Sequence, residues 1–265
     1  MSPAHFPRVV PALLASALLL NLAQPAAARI RKSRPPELFA APLPPDPWFW
    51  APLYSFLVGS GIEIQPSHDE IEYNFPILVE YRASEKLLLA LESTYVSIIA
   101  GESNATSLHG WGDLETAAYY EFLRERRYRP ALLVEARVRW PTSEHPDLGE
   151  PGREYSFGII AEKDLVFIDL DLNVLYTVAG ERTRADEVEV ALGGEWSVTP
   201  YLDIIGEVAL AVPLGGDDLG QNGAEATAGL AWQLTRHLRF EHGIVFKEGG
   251  EWEAVAAWEW SFGGD

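Results

Sequence analysis

Carboxylates recur at every second position through long stretches of this chain. Asp169 and Asp171 alternate with Ile168, Leu170 and Leu172; Glu187, Glu189 and Glu195 fall in step within 187–195; Asp203 and Glu207 alternate with Leu202, Ile204, Gly206 and Val208. Residues two apart share one face of an extended strand, so these acids form rows with an apolar face behind them. The chemistry open to such rows is electrostatic. A low-dielectric wall bearing many carboxylates focuses a negative potential and favours cations. Two carboxylates can also serve as the acid and nucleophile of a glycosidase, but acids this numerous make any single pair uninformative.

Other chemistries find less support. His242 is the one histidine on an apolar strand face, between Phe240 and Ile244, and the hydroxyls of comparable setting, Ser93 and Ser97, lie eight strands away. No compact Ser-His set follows, and the contact between base and nucleophile that acyl transfer needs has no basis. His242 reads as bonded to a neighbouring strand or turned inward at a bulge. His68, His109 and His145 sit in separate loops, which supports neither a shared metal site nor a cofactor. The chain is read as a non-enzyme.

Composition narrows the classes further. The 265 residues include 39 acidic and 20 basic side chains, a net charge of −19, with 48% hydrophobic and 22% charged residues. That balance suits a folded chain rather than a disordered one. So acidic a molecule lacks the basic face that nucleic acid requires. Zero cysteines exclude a disulfide framework, a thiolate metal site, a thiol nucleophile and a lipoprotein anchor.

The elements that hold the acid rows have a period of two. Ile71, Tyr73, Phe75, Ile77, Val79 and Tyr81 alternate with Glu72, Asn74, Pro76, Leu78 and Glu80; Trp252 to Phe262 repeats the pattern. Tracing it predicts twelve strands near 53–64, 70–82, 87–98, 113–123, 130–140, 154–162, 165–177, 187–198, 201–212, 224–234, 238–247 and 251–262. Most span the 9–11 tilted residues that cross a bilayer, well beyond the 5–6 usual in soluble sheets. Short links (83–86, 163–164, 199–200, 235–237) alternate with long ones (100–112, 141–153, 178–186, 213–223), the asymmetry of outer-membrane barrels. Links 124–129 and 248–250 fit it less well.

Residues 1–28 have the layout of a secretory signal peptide: Arg8 near the start, an apolar stretch from Val9 to Leu22, and Ala26-Ala27-Ala28 at the cleavage position. Residues 29–52 open with Arg29, Arg31, Lys32 and Arg34 and continue with seven prolines around Trp48 and Trp50, which predicts an extended periplasmic arm. By charge, that arm could plug an acidic lumen. The third segment, 53–265, is the barrel.

Aromatic placement selects between a soluble sandwich and a membrane barrel. Tyr81, Phe122, Trp196, Trp232, Trp260 and Phe262 fall at one end of their strands, and Tyr73, Tyr95, Trp140, Tyr155, Tyr176, Phe246 and Trp252 at the other. Two girdles around an apolar band mark a membrane barrel. The expected fold is therefore an all-β, antiparallel transmembrane barrel of about twelve strands. Its lumen-lining candidates are Glu72, Glu80, Glu92, Glu135, Arg137, Arg139, Asp169, Asp171, Glu189, Glu195, Asp203 and Glu207.

Gly110-Trp111-Gly112-Asp113-Leu114, followed by Tyr119-Tyr120-Glu121-Phe122-Leu123, Pro130-Ala131-Leu132 and Trp140-Pro141-Thr142, resembles the transporter-like outer-membrane barrel family known for the MetA pathway of phenol degradation. Ser143 stands where that family has glycine. The resemblance implies an outer-membrane barrel passing small, including aromatic, compounds. Read from the residues alone, the two glycines and Asp113 predict a loop turning sharply into strand four. No helix follows them to hold a phosphate.

The combined expectation is an outer-membrane channel or diffusion transporter for small solutes, aromatic or cationic, with an acidic, cation-preferring lumen. A closed structural or surface-interaction barrel is the alternative. Its partners would be outer-membrane lipid and the assembly machinery, which reads C-terminal aromatic patterns such as Trp258-x-Trp260-x-Phe262.

Overall fold

The computed structural model describes residues 56–66, 70–100, 107–150, 152–165, 168–180, 185–214 and 223–262. The expected signal peptide, the arm, the start of the first strand, and much of the loops near 101–106 and 215–222 lie outside them.

Twelve strands follow in order: β1 (Phe56–Pro66), β2 (Glu70–Arg82), β3 (Leu87–Ala100), β4 (Leu108–Leu123), β5 (Ala131–Trp140), β6 (Glu154–Asp164), β7 (Ile168–Val178), β8 (Asp186–Thr199), β9 (Leu202–Leu214), β10 (Gly223–Thr235), β11 (Leu238–Lys247) and β12 (Trp252–Phe262). Each pairs antiparallel with the next, and β1 pairs with β12, from Phe56 opposite Phe262 to Ile64 opposite Ala254. Closure satisfies both edges of the sheet, which would otherwise present unpaired backbone groups.

The alternating sequence explains which face goes where. On β7, Ile168, Leu170, Leu172, Val174 and Tyr176 are exposed on the outside, while Asp171 and Asn173 are 3% and 4% exposed on the inside. The polarity is inverted relative to a soluble domain. An exposed apolar surface continuous around the wall far exceeds the few hundred Å² that soluble monomers show. Both aromatic girdles form on it, with Tyr81, Phe122, Trp196, Trp260 and Phe262 exposed at the short-turn end and Tyr155, Tyr176, Phe246 and Trp252 at the long-loop end.

Most predicted boundaries fall within two residues of the observed ones, and two starts among the described residues differ by three or more. β7 begins at Ile168 instead of 165, because Lys163 and Asp164 extend β6 rather than forming its turn. β4 begins at Leu108 instead of 113, so the Gly110–Gly112 segment is strand and not a sharp turn. A bulge accounts for the second case. Ser93 pairs with Leu114 and Tyr95 with Trp111, leaving Gly112 and Asp113 together opposite Thr94. A bulge sets two successive residues against one and re-aims their side chains, which breaks the period-two signal.

Candidate functional site in the barrel interior

The short-turn half of the interior is packed. Leu88, Tyr119, Ala131, Leu133 and Ile160, from four successive strands, form one apolar cluster, none more than 4% exposed. Beside it Glu80 and Glu121 are at most 1% exposed, and Glu121 accepts a hydrogen bond from Arg124 Nε at 3.3 Å. Across the barrel Arg239 binds Glu195 through both terminal nitrogens, at 2.7 and 3.2 Å, and Glu241 through Nε at 2.5 Å, with Asp203 3.9 Å away. Glu195 belongs to β8 and Arg239 to β11, so this bidentate pair ties two strands together through the interior with β9 and β10 between them.

The long-loop half is hollow. A cavity of about 490 Å³ lies between β5 and β10, lined by Glu135, Arg137, Arg139 and Glu150 on one side and by Asn173, Glu187, Glu189 and Glu225 on the other, over the small residues Ala191, Ala209, Ala211 and Gly223. Its two arginines are already paired. Arg137 donates to Glu135 through Nε at 2.9 Å and lies 3.3 Å from Glu115; Arg139 lies 2.5 Å from Glu154 and 4.0 Å from Asp113. The wall from β7 to β10 carries acids on its inward positions, and its four strands hold no Lys or Arg. Farther round, Lys247 Nζ joins three strands by donating to Gln65 and approaching Glu253, each at 2.7 Å.

A second cavity, about 300 Å³, adjoins Glu92, Thr94, Glu115 and Arg139 beneath the link between β5 and β6. That link folds back over the barrel mouth, and Asp113 holds it. Asp113 Oδ1 accepts N–H bonds from Thr142 and Ser143, both at 3.0 Å, and Oδ2 accepts one from Glu150 at 2.9 Å. Thr142 Oγ1 accepts from the Leu114 N–H at 2.9 Å, and the Glu144 N–H donates to the Trp111 carbonyl at 3.0 Å. A short 3₁₀ turn, Pro146–Leu148, then buries Leu148 against the two motif glycines. A Cβ on Gly110 would fall 2.9 Å from Leu148 Cδ1, and one on Gly112 would fall 3.0 Å from its carbonyl oxygen. The glycines are there for this close approach.

The twelve sequence-predicted residues thus separate into groups. Glu135, Arg137, Arg139 and Glu189 meet in the larger cavity, and Glu92 joins Arg139 in the smaller. Glu195 and Asp203 gather on Arg239. Asp171 accepts from Asn173 Nδ2 at 2.9 Å, with Asp169 two residues before it on β7, and Glu72 accepts from Asn74 at 2.9 Å. Glu80 and Glu207 are buried on the inner face away from both cavities. Sequence reasoning missed Asp113, Glu150 and Asn173. The first had a signal in the Gly110-x-Gly112-Asp113 and Pro141-Thr142 segments, but their contact lies across 29 residues.

His242 does face outward. Its Nδ1 lies 3.2 Å from the Leu230 carbonyl on β10, and its ring stacks on Phe240 at 5.5 Å. It is the neighbour-bonded histidine of the two readings considered.

No family model and no curated protein matches the sequence. Solved structures do resemble the fold. The COG4313 outer membrane channel from Pseudomonas putida F1 superposes with a TM-score of 0.67 at 12% identity, covering 83% of this chain and all of that one. The KdgM porin in complex with disordered oligogalacturonate gives 0.58 and the NanC porin 0.59, each at 9% identity over 78% of this chain and 99% of its own. At these identities the likeness establishes the fold: a closed twelve-stranded antiparallel barrel of the kind that bacterial channels and porins use.

Proposed function

We propose that this chain is an outer-membrane channel for the diffusion of small solutes, with an interior acidic enough to prefer cations. One observation carries the reading. The cavity wall formed by β8 and β10 supplies the inward carboxylates Glu187, Glu189 and Glu225, while the guanidiniums beside it are engaged by acids of their own. Fixed charge of one sign on a low-dielectric wall raises the local concentration of counter-ions. The continuous apolar exterior and its girdles support membrane placement.

Residues 1–28 act in this reading as a cleaved export signal and 29–52 as a periplasmic arm. N-terminal sequencing of the exported protein should begin at Arg29. The Gly110–Thr142 segments support kinship with the phenol-degradation barrel family and hence a small, aromatic or cationic cargo. The terminal aromatic strand would be the feature read by the assembly machinery.

Single-channel recording across a salt gradient tests the function. Stable conductance is expected, with a reversal potential of cationic sign that shrinks when Asp169, Asp171, Glu189 and Glu207 are changed to amides; unchanged selectivity would remove the acidic-wall mechanism. A second reading, a closed barrel acting as a structural or surface-interaction protein, draws on the apolar packing around Leu133 and Ile160. Insertion without conductance would favour it.

A further inference from the structure

The two ends of the barrel carry opposite charge. The short-turn links (83–86, 124–130, 165–167, 200–201 and 236–237) hold six basic residues against two acidic ones. The opposite links (67–69, 101–107, 141–153, 179–185, 215–222 and 248–251) hold three basic against ten acidic. In a chain of net charge −19, a positive rim at one end is a local device, and four of its arginines fall within Arg124–Arg129.

That turn is built to present some of them. Arg124 lies 3.5 Å from Glu85 on the preceding turn, and Glu125 is in contact with Lys163 at the end of β6, so the segment is braced on both sides. The Arg126 and Arg129 backbones exchange two hydrogen bonds of 3.1 Å, and Arg129 Nε donates to the Arg124 carbonyl at 3.3 Å. These contacts fix the turn and leave Arg126, Arg127 and Tyr128 exposed at its tip, with Tyr128 86% exposed and the Arg127 guanidinium 5.1 Å over its ring. Arg126 and Arg127 have no acidic partner among the described residues. The tip continues the apolar exterior: Tyr120 and Phe122, both exposed, lead down the outer face of β4 to it.

We propose that this rim, centred on Arg126, Arg127 and Tyr128, is a binding surface for the headgroups of anionic phospholipid in the leaflet at the short-turn end. Guanidinium forks match phosphate oxygens in geometry as well as charge. A tyrosine at the edge of an apolar band places its ring at headgroup level and its hydroxyl in water. Basic residues beside an anionic leaflet are attracted to it over about one Debye length. The acidic opposite end would repel the same lipid, so the rim also gives the barrel a preferred orientation. The inference rests on the membrane placement proposed above.

Native mass spectrometry of the full chain folded in non-ionic detergent tests it, with dioleoyl phosphatidylglycerol and dioleoyl phosphatidylcholine as probes. Preferential retention of phosphatidylglycerol is expected, falling about fivefold for each arginine removed in R126Q and R127Q, while R182Q/R184Q at the other end changes nothing. Equal retention of the two lipids, or a preference unaffected by R126Q/R127Q, overturns the proposal; so does a preference that moves with R182Q/R184Q instead. Insertion into phosphatidylcholine vesicles depends on the apolar band alone. A chain that inserts there but shows no lipid preference loses only the rim, whereas one that inserts in neither lipid loses membrane placement and the rim together.

Discussion

The two halves of the interior solve the same problem in different ways. Both must place carboxylates inside a narrow wall. In the short-turn half, buried acids are set against apolar packing and a three-strand arginine clamp, and little space remains. In the long-loop half, acids border cavities, and what is fixed is the lid above them. The contrast teaches that filling the interior and leaving charged space in it fall to different residues. Under the proposed channel function, side chains such as Leu133 and Arg239 would set how much can pass, and Glu189 and Glu225 what is drawn in.

The comparison can be broken most forcefully at Arg239. R239M leaves Glu195, Asp203 and Glu241 without their shared cation, and removing one partner of a buried ion pair costs about 3–5 kcal/mol. Urea unfolding in lipid vesicles should show a loss of that size. A loss near zero would mean that water already compensates these acids and that the clamp is not structural. Next comes L133A, expected to cost about 2 kcal/mol from lost packing and to raise conductance by opening the filled half. Raised conductance without lost stability would place Leu133 in a passage rather than a core.

Asp113 is the corresponding test of the other half. D113N keeps the shape but removes the charge that three N–H donors address, for about 1–3 kcal/mol. The expected readout is a noisier, larger conductance as the 141–150 link loosens, with G110A producing a similar change by displacing Leu148. The smallest effect on stability should come from E187Q/E189Q/E225Q, within about 0.5 kcal/mol as for substitutions at solvated sites. The same variant should still move the reversal potential toward zero. If instead it destabilised the barrel like R239M, the distinction between the halves would collapse.

Much of this architecture was legible in the alternation of residues such as Ile168 to Tyr176, because a barrel wall imposes inside and outside on each strand independently. Twelve strands and both girdles follow from local pattern. What was illegible depends on contacts distant in sequence. The bulge at Gly112 and Asp113 puts two successive residues opposite Thr94, so a period-two reading ends the strand there. The link held by Asp113 is 29 or more residues away, and nothing local distinguishes a glycine needed for a turn from one needed for the approach of Leu148. Arg239 and Glu195 are 44 residues apart and meet because β8 and β11 curve toward each other. Alternation offers the inward candidates only as an undivided list, and their division into clamp, cavity and lid depends on those distant contacts.

Closure through β1 and β12 has a consequence for how the molecule comes to exist. Phe56 faces Phe262 across the seam, their rings 6.3 Å apart. The first strand to be synthesised therefore cannot complete its pairing until the last has been made. Until then the chain carries an apolar exterior and two open strand edges, the features that promote association between unfinished copies. Pairing across so long a separation is intrinsically slow. The eleven pairings of successive strands can proceed locally, but the seam is a single late event on which their permanence depends. A chain truncated before Trp252 would retain most of its hairpins and still have no way to stop being a template for its neighbours.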